Sequence, residues 1–292
     1  MLQQLANGVF AGSIYALFAI GFTLVFGILR QLNLAHPAIF TVGAFVGIEL
    51  ATRLGLPVWA LVPAVAAVGA VAGVILERVA FRPLAGRDDE HFAGLISSVA
   101  FGGILIAALQ ARYGTEPQSF PSEYFPNRLF EFGGIGVTLM QLVTLGLALV
   151  LMVGLAWLVS STPMGRAMRA VAENPTAAKV LGVNAGLVTS GTYALSSALG
   201  TVAGALLALN IGQADRDLGA SIELVGFAVI IVGGLGSLWG AMAAGLILGV
   251  AEAMTVAYFD STWKGLVAFA LLFAILVLRP RGLFGAVKVR EV

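Results

Sequence analysis

Residues 7–29 read NGVFAGSIYALFAIGFTLVFGIL, and this stretch decides the fold of the chain. It contains no charged residue, and Arg30 closes it. A bilayer core of about 30 Å is crossed by roughly 20 helical residues, so the stretch is long enough to be a transmembrane helix. The rest of the chain has the same character, because 59% of its 292 residues are hydrophobic and 11% are charged. A water-soluble domain could not bury that much apolar surface, and the sequence therefore predicts a polytopic membrane protein.

Eight further apolar runs follow the first. They lie at 37–52, 57–76, 92–111, 138–160, 188–211, 222–237, 238–259 and 262–278. At about 20 residues per crossing, the chain has room for eight to ten spans, and we count nine. We predict an all-α, polytopic transmembrane helical bundle that forms a single domain over residues 1–292.

Arginine and lysine residues indicate which way the bundle faces, because cytoplasmic loops carry an excess of them. If residues 161–187 are cytoplasmic and the spans alternate from there, eleven basic residues lie inside and five outside. The inner set is Arg30, Arg78, Arg82, Arg87, Arg166, Arg169, Lys179, Arg279, Arg281, Lys288 and Arg290, and the outer set is Arg53, Arg112, Arg128, Arg216 and Lys264. This count predicts an outward-facing N-terminus, a cytoplasmic C-terminus and a large outer loop at about 112–137.

Residues 161–187, STPMGRAMRAVAENPTAAKVLGVNAGL, form a polar segment between two apolar runs. Gly165 to Glu173 suits a short helix, with Arg166, Arg169 and Glu173 at a spacing of three and four residues on one face. Asn174 is placed to cap a second helix, Pro175 suits the first turn of that helix, and Gly182 stands where a helix commonly ends. A simple connection needs less than this, so we interpret the segment as a folded contact surface for a partner in the water. The alternative is a solvated turn that only joins two helices.

Glycines recur four residues apart in the apolar runs, at Gly8/Gly12, Gly43/Gly47, Gly69/Gly73, Gly200/Gly204, Gly236/Gly240 and Gly245/Gly249. Lipid gives helices no hydrophobic reason to associate, so close backbone approach at small residues must hold them together. The pairs predict a tightly interlocked bundle. The run GGLGSLWGAMAAG at 233–245 is either a tight hairpin between two helices or a broken helix at membrane depth.

No catalytic set or metal site can be found in the sequence. Its two histidines are His36 and His91, it has no cysteine, and no carboxylates stand at a spacing suited to zinc. The phosphate-binding pattern GxxxxGK[ST] is absent, so the chain cannot hydrolyse ATP by that route. The net charge of +1 gives no reason to expect nucleic acid. We expect no cofactor, and if ATP drives this protein, another subunit must hydrolyse it.

Few charged residues lie within the predicted spans, and Glu252 is the most deeply placed of them. A carboxylate there is by default a functional candidate, although it could equally hydrogen-bond a neighbouring helix. Asn33 and His36 lie where the second run begins, and for Asn33 we favour a capping role over substrate contact. A carrier driven by protons or sodium usually has several such groups. The pathway is therefore predicted to suit a small solute without a large net charge, with Asn33, His36 and Glu252 as its candidate residues.

Three stretches carry a resemblance to a known family. They are GVFAGSIYALFAIGFTLVFGILRQLNLAHPAIFTVGAF at 8–45, GRAMRAVAENPTAAKVLGVN at 165–184 and FAVIIVGGLGSLWGAMAAGLILG at 227–249. Together they resemble the Liv-type permeases of bacterial branched-chain amino acid ABC transporters, and the resemblance covers nearly the whole chain. One departure is Pro37 after His36, where the family pattern leads us to expect glycine, and it concerns local helix geometry.

The resemblance implies a multi-pass permease of the bacterial inner membrane that carries leucine, isoleucine or valine. It also implies a second, homologous permease subunit, two cytoplasmic ATPase subunits and a periplasmic substrate-binding protein. Segment 161–187 then resembles the coupling helices of ABC importers. The ATPase-coupling candidates are Arg166, Arg169, Glu173, Asn174, Pro175, Lys179 and Gly182. The competing hypotheses are a stand-alone channel or secondary carrier for a small neutral solute such as urea, and a purely structural membrane scaffold.

Overall fold

The computed structural model describes residues 1–87, 89–121, 129–132 and 134–285, and these are almost entirely helical. The helices within these ranges are α1 (Leu2–Leu29), α2 (His36–Leu54), α3 (Val58–Leu76), α4 (Glu90–Tyr113), α5 (Leu139–Ser161), α6 (Pro163–Glu173), α7 (Pro175–Val180), α8 (Ala185–Ile211), α9 (Leu218–Gly233), α10 (Leu238–Tyr258) and α11 (Lys264–Leu278). Short strands β1 (Gln118–Ser119), β2 (Leu129–Phe132), β3 (Ile135–Thr138) and β4 (Gln213–Ala214) lie between them. A π-helical turn at Glu77–Phe81 and 3-10 turns at Arg82–Leu84 and Ser261–Trp263 complete the elements.

Each predicted apolar run is a helix in the structure, and the prediction of an all-α polytopic bundle is confirmed. Eight helices in the described part of the chain are long and apolar enough to cross a membrane. α1 begins at Leu2 rather than residue 7, and α9 is displaced at both ends, since it occupies Leu218–Gly233 rather than 222–237. α9 ends early because Gly234 has a φ of 102°, a conformation that favours glycine and breaks the helix. At 16 residues, or about 24 Å, α9 is one of the two shortest of the nine, beside α11 with 15 residues.

Contacts between loops group the helix ends at one side of the bundle, which we call the first end. The side-chain amide of Gln3 donates to the carbonyl of Gly136 over 2.9 Å, which joins the start of α1 to β3. β1 pairs with β4 in antiparallel register, so the loop after α4 lies beside the end of α8. Arg112, near the end of α4, forms an ion pair with Glu49, near the end of α2.

The opposite side of the bundle, the second end, collects the other loops. Gln31 donates to the Glu90 carboxylate over 2.9 Å and so joins the end of α1 to the start of α4. The backbone N–H of Leu283, beyond α11, donates to the carbonyl of Val232 near the end of α9 over 2.8 Å. α9 therefore runs from the first end toward the second, although it is not one of the eight described helices that are long and apolar enough to cross a membrane. Of the basic residues used for the orientation, Arg128, Lys288 and Arg290 lie outside the described residues.

α1 is the central helix, and its packing against α10 confirms the glycine prediction for two of the pairs. A Cβ atom added to Gly249 would lie 2.3 Å from the Cα of Gly12, and one added to Gly8 would lie 2.6 Å from the Cα of Val250. The two backbones are therefore in direct contact, which is how membrane helices gain van der Waals energy without a hydrophobic driving force. The antiparallel pair brings the end of α10 to the start of α1.

The glycine-rich run at 233–245 forms a tight hairpin, the first of the two alternatives. Gly234 and Gly236 both adopt positive φ, at 102° and 86°. The hydroxyl of Ser237 then caps α10 by accepting from the N–H of Gly240 over 3.1 Å. The turn lies at the second end of the bundle.

Candidate functional site

Segment 161–187 is folded as two short helices, each of which begins at a capping side chain. Thr162 begins α6, and its hydroxyl accepts from the N–H of Gly165 over 3.1 Å. The Asn174 side chain begins α7 and accepts from the N–H groups of Thr176 and Ala177, both over 3.0 Å. The capping prediction for Asn174 is confirmed, as is Pro175 in the first turn. α6 starts two residues before the predicted Gly165, at Pro163, because Thr162 supplies the cap.

The end of α7 is fixed by Gly182, as predicted. Gly182 has a φ of 85°, and its N–H donates to the carbonyl of Lys179 over 3.0 Å. The next N–H, of Val183, donates to the carbonyl of Ala178 over 2.9 Å. Left-handed glycine followed by two such bonds is a common way to satisfy the last carbonyls of a helix. The segment is therefore closed by hydrogen bonds at each of its turns.

The inner face of the segment is attached to the end of α5. Met168 and Val171 of α6 are buried, with 0% and 4% of their surface exposed. A Cβ atom added to Gly165 would lie 2.2 Å from the carbonyl oxygen of Val159, so the two backbones touch. The Arg169 guanidinium donates a hydrogen bond to that same carbonyl. Arg169 is itself exposed, and its hydrogen bond joins α6 to the last turn of α5.

The outer face of the segment ends in an apolar tip formed by Val180 and Leu181. Their exposed fractions are 83% and 82%, although both are aliphatic. Glu173, Pro175 and Lys179 are also exposed beside them. Exposed aliphatic side chains on a well-ordered helix end are typical of a protein-contact surface. This tip could not be predicted from the sequence, because the periodicity of six helical residues does not show which aliphatic side chains face the water.

Two cavities at the second end divide the predicted coupling residues. One of 630 Å³ is lined by Glu173, Pro175 and Lys179, with Arg30 and Arg82 on its other walls. The other, of 520 Å³, is lined by Arg169, the end of α5 and the 235–239 turn.

Arg169 and Glu173 therefore serve different surfaces, although their spacing places them near one another on α6. Arg166 is exposed to solvent on the same helix.

Asn33 and His36 are both buried and hold the start of α2. The side-chain oxygen of Asn33 accepts from the N–H of Ala35 over 3.1 Å and so closes the turn that leads into α2, whereas Ala35 is the cap residue of the helix and has no side-chain cap. The His36 ring lies 3.3 Å from the carbonyl oxygen of Phe18 and packs against the rings of Phe18 and Phe22. Pro37 lies in the first turn of α2, where proline costs little, so the departure from the family pattern leaves the helix intact. A solute could reach Asn33 or His36 only if this packing opened, and their place in the pathway stays a prediction.

Glu252 joins three helices. Its carboxylate accepts from the hydroxyl of Tyr15 on α1 over 2.8 Å, and the same oxygen lies 3.2 Å from the ammonium nitrogen of Lys264 at the start of α11. The Glu252 side chain is 3% exposed and the Lys264 side chain 45%. This geometry agrees with the alternative of a hydrogen bond to a neighbouring helix, while a role in the pathway stays a prediction. Tyr15 and Lys264 could not be assigned from sequence, since nothing in it places α11 beside α10.

Metal binding has no support in the part of the chain that the structure describes. No three histidine, cysteine, aspartate or glutamate side chains converge there closely enough to hold an ion.

Comparison with known proteins gives one consistent family. Residues 4–276 match the family model described as branched-chain amino acid transport system / permease component. The chain is 35% identical to the high-affinity branched-chain amino acid transport system permease protein BraD of Pseudomonas aeruginosa, over 100% of this chain and 98% of that protein. It is 34% identical to the corresponding protein LivH of Escherichia coli, over 100% of this chain and 97% of that protein.

Among solved structures, PsaBC from Streptococcus pneumoniae in complex with Fab resembles the chain in fold. The TM-score is 0.52 at 14% sequence identity, with 96% of this chain and 92% of that one covered. The family match and the two full-length relatives give the assignment, which the helical bundle supports. The chain belongs to the family of branched-chain amino acid transport system permease components.

Proposed function

We propose that this chain is the transmembrane permease subunit of an ATP-binding cassette importer for branched-chain amino acids, in the inner membrane of a bacterium. Its relatives are named as permease proteins of high-affinity branched-chain amino acid transport. The chain has no phosphate-binding loop of its own. ATP hydrolysis therefore belongs to separate subunits, and this subunit forms the passage through the membrane.

The observation that carries the proposal is the construction of segment 161–187. Its inner face buries Met168 and Val171, the exposed Arg169 joins it to α5 through the Val159 carbonyl, and its outer face presents Val180 and Leu181 to the solvent. An element that is rigid, attached on one side and apolar on the other is suited to receive a mechanical push. An ATPase subunit that holds the tip would move α6 and, through it, the end of α5.

The push also reaches the most buried helices of the bundle. Asn184 caps α8 by accepting from the N–H of Leu187 over 3.1 Å, so α8 begins immediately after the segment. α8 packs against α1, α2 and α3. A displacement of the segment at Pro163 would move α5, and a displacement at Val188 would move α8. One contact at segment 161–187 could therefore move both α5 and α8, and so open or close a passage between helices.

The partners follow from the orientation and from the exposed helices. The positive-inside count assigns the second end, with its segment 161–187, to the cytoplasm and the first end to the periplasm. Two ATPase subunits then dock at the second end, and a periplasmic substrate-binding protein delivers the amino acid at the first end. α11 is buried only at Ala268 in the isolated chain, so lipid and a second, homologous permease subunit are the surfaces that would cover it.

Reconstitution in liposomes tests the proposal against its main alternative. The chain alone should move neither leucine nor urea. The chain with a second permease subunit, the ATPase subunits and the binding protein should accumulate leucine only when ATP is supplied on the ATPase side. Solute flux through the isolated chain would instead support a stand-alone channel or secondary carrier.

A further inference from the structure

A cavity of 450 Å³ lies between α2, α4 and α9, toward the first end of the bundle. This volume is within the usual range for small-molecule sites. Glu223 stands five residues after the first residue of α9, or about 8 Å along the helix axis. Gln110 stands three residues before the end of α4, or about 5 Å from it. Both line the cavity, together with Pro37 and Thr41 in the first turns of α2.

Glu223 differs from the other acidic residues of the spans. Glu49 is paired with Arg112, Glu77 accepts from Ser190 and Glu252 is paired with Lys264. Among the described residues, no hydrogen bond or ion pair is made by the Glu223 carboxylate. A charged group at this depth almost always faces protein or a water-filled cavity rather than lipid. The surface formed by α2, α4 and α9 therefore faces either a water-filled passage or another protein, and not lipid.

The cavity has a charged side and an apolar side. Arg216 at the mouth pairs with Asp217 over 3.4 Å, and both side chains are well exposed, so the pair is weak and leaves guanidinium donors free. On the opposite wall, Val99 and Ile106 of α4 flank Gly103, whose α-carbon has open space around it. The cavity thus offers the unpaired Glu223 carboxylate, the exposed Arg216–Asp217 pair and an aliphatic surface within one volume.

We propose that this cavity is a subsite of the translocation pathway for an aliphatic amino acid in its zwitterionic form. The Glu223 carboxylate accepts the α-ammonium group, Arg216 and the Gln110 amide face the α-carboxylate, and the branched side chain lies on the Val99–Ile106 wall. The argument rests on charge complementarity, since a zwitterion needs one acidic and one basic partner. It also rests on the proposed function, which supplies the cargo.

Cysteine labelling tests the cavity without requiring transport. The chain has no cysteine, so a single introduced thiol gives a clean signal. Ala107→Cys lies in the cavity, about 9 Å from the end of α4. Gly146→Cys is the control at a similar depth, about 11 Å into α5, on an open face of that helix. In spheroplasts, membrane-impermeant methanethiosulfonate reagents should label Ala107→Cys much faster than Gly146→Cys. Equal rates would overturn the proposal.

The charge of Glu223 is tested by comparing a cationic with an anionic reagent of that class. Ala107→Cys should prefer the trimethylammonium reagent over the sulfonate reagent. Glu223→Gln should lower that preference about fivefold, as expected for one charge nearby in a hydrated site. Glu223→Asp, which keeps the charge, should retain it. An unchanged preference in Glu223→Gln would overturn the assignment of Glu223.

Leucine uptake by the complete assembly tests the cargo. Glu223→Gln should lower the maximal rate at least tenfold with unchanged half-saturation, because the binding protein sets capture. Glu116→Gln, which removes an acid at the same end but outside the cavity, should transport normally. Normal uptake by Glu223→Gln would contradict the subsite. If the wild type took up no leucine, the proposed function and this cargo would both fail, whereas the labelling ratio would still decide whether the cavity is a cation-attracting aqueous site.

Discussion

Arg169 on α6 donates a hydrogen bond to the backbone carbonyl of Val159, two residues before the end of α5. A charged donor on a backbone carbonyl is stronger than a neutral one. This contact joins segment 161–187 to a membrane-spanning helix, so it lies on the route that energy must take if an ATPase acts on the segment.

Replacing Arg169 should uncouple the segment from α5. Arg169→Glu removes the donor and places a carboxylate beside the Val159 carbonyl, so we expect leucine uptake by the complete assembly to fall at least tenfold. Arg169→Lys keeps a positive donor and should retain part of the activity. Uptake is measured at matched amounts of membrane-inserted protein. Wild-type uptake by Arg169→Glu would show that the hydrogen bond transmits nothing.

Replacing the apolar tip should weaken docking of the ATPase subunits. Burying a leucine side chain contributes about 1.5–3 kcal/mol, so Leu181→Asp should raise the dissociation constant for the ATPase at least tenfold. Thr176→Asp is the matched control, because it adds the same charge at another exposed position of segment 161–187. Binding is measured with purified ATPase on detergent-solubilised permease. If both variants bound equally well, the tip would not be part of the interface.

Crowding the α1–α10 contact should destabilise the bundle. Gly249→Leu forces a side chain into the backbone of α1 at Gly12, and overpacking of this kind costs about 1–3 kcal/mol or more. Gly146→Leu is the matched control, since no atom lies within 4 Å of the position its Cβ would take. The thermal midpoint for loss of the monodisperse protein should fall for Gly249→Leu alone. A normal midpoint for Gly249→Leu would mean that the two helices separate at little cost.

The Glu252–Lys264 pair should behave as a tether between α10 and α11. Lys264→Met leaves a buried carboxylate without its cation, and because Lys264 is half exposed we expect a loss of roughly 1–3 kcal/mol, below that of a fully buried pair. The double variant Glu252→Gln/Lys264→Met should recover most of that stability, since the amide still meets Tyr15.

Transport separates the two roles of Glu252. A tether predicts that Glu252→Gln transports leucine at a near-normal rate when it is folded. A pathway residue predicts a stable protein with strongly reduced transport. Measuring both quantities on the same preparation distinguishes these outcomes.

The helices could be predicted well from the sequence, because an apolar run of about 20 residues satisfies its backbone hydrogen bonds in lipid by forming a helix. The caps of segment 161–187 could also be predicted, since Asn174 and Gly182 act on backbone groups within three or four residues of themselves. The end of α9 was placed four residues late because several glycines follow one another there, and only the backbone angle of Gly234 shows which one breaks the helix.

Contacts between distant residues could not be predicted in the same way. The ion pair of Glu252 depends on the packing of α11 beside α10. The lack of an ion pair at Glu223 depends on how the side chains around the α2–α4–α9 cavity are arranged. The exposure of Val180 and Leu181 depends on the direction in which α7 leaves the bundle. These features are properties of packing, and a single sequence without a structure does not contain them in readable form.

The central claim is that energy enters this subunit by contact at segment 161–187, and the ratio of leucine transported to ATP hydrolysed tests it most directly. The measurement uses proteoliposomes that hold the complete assembly, with the wild-type chain or with residues 173–176 deleted. The account predicts a constant ratio for the wild type and a ratio near zero for the deletion, although the deleted chain still inserts in the membrane. Unchanged coupling after the deletion would contradict the account.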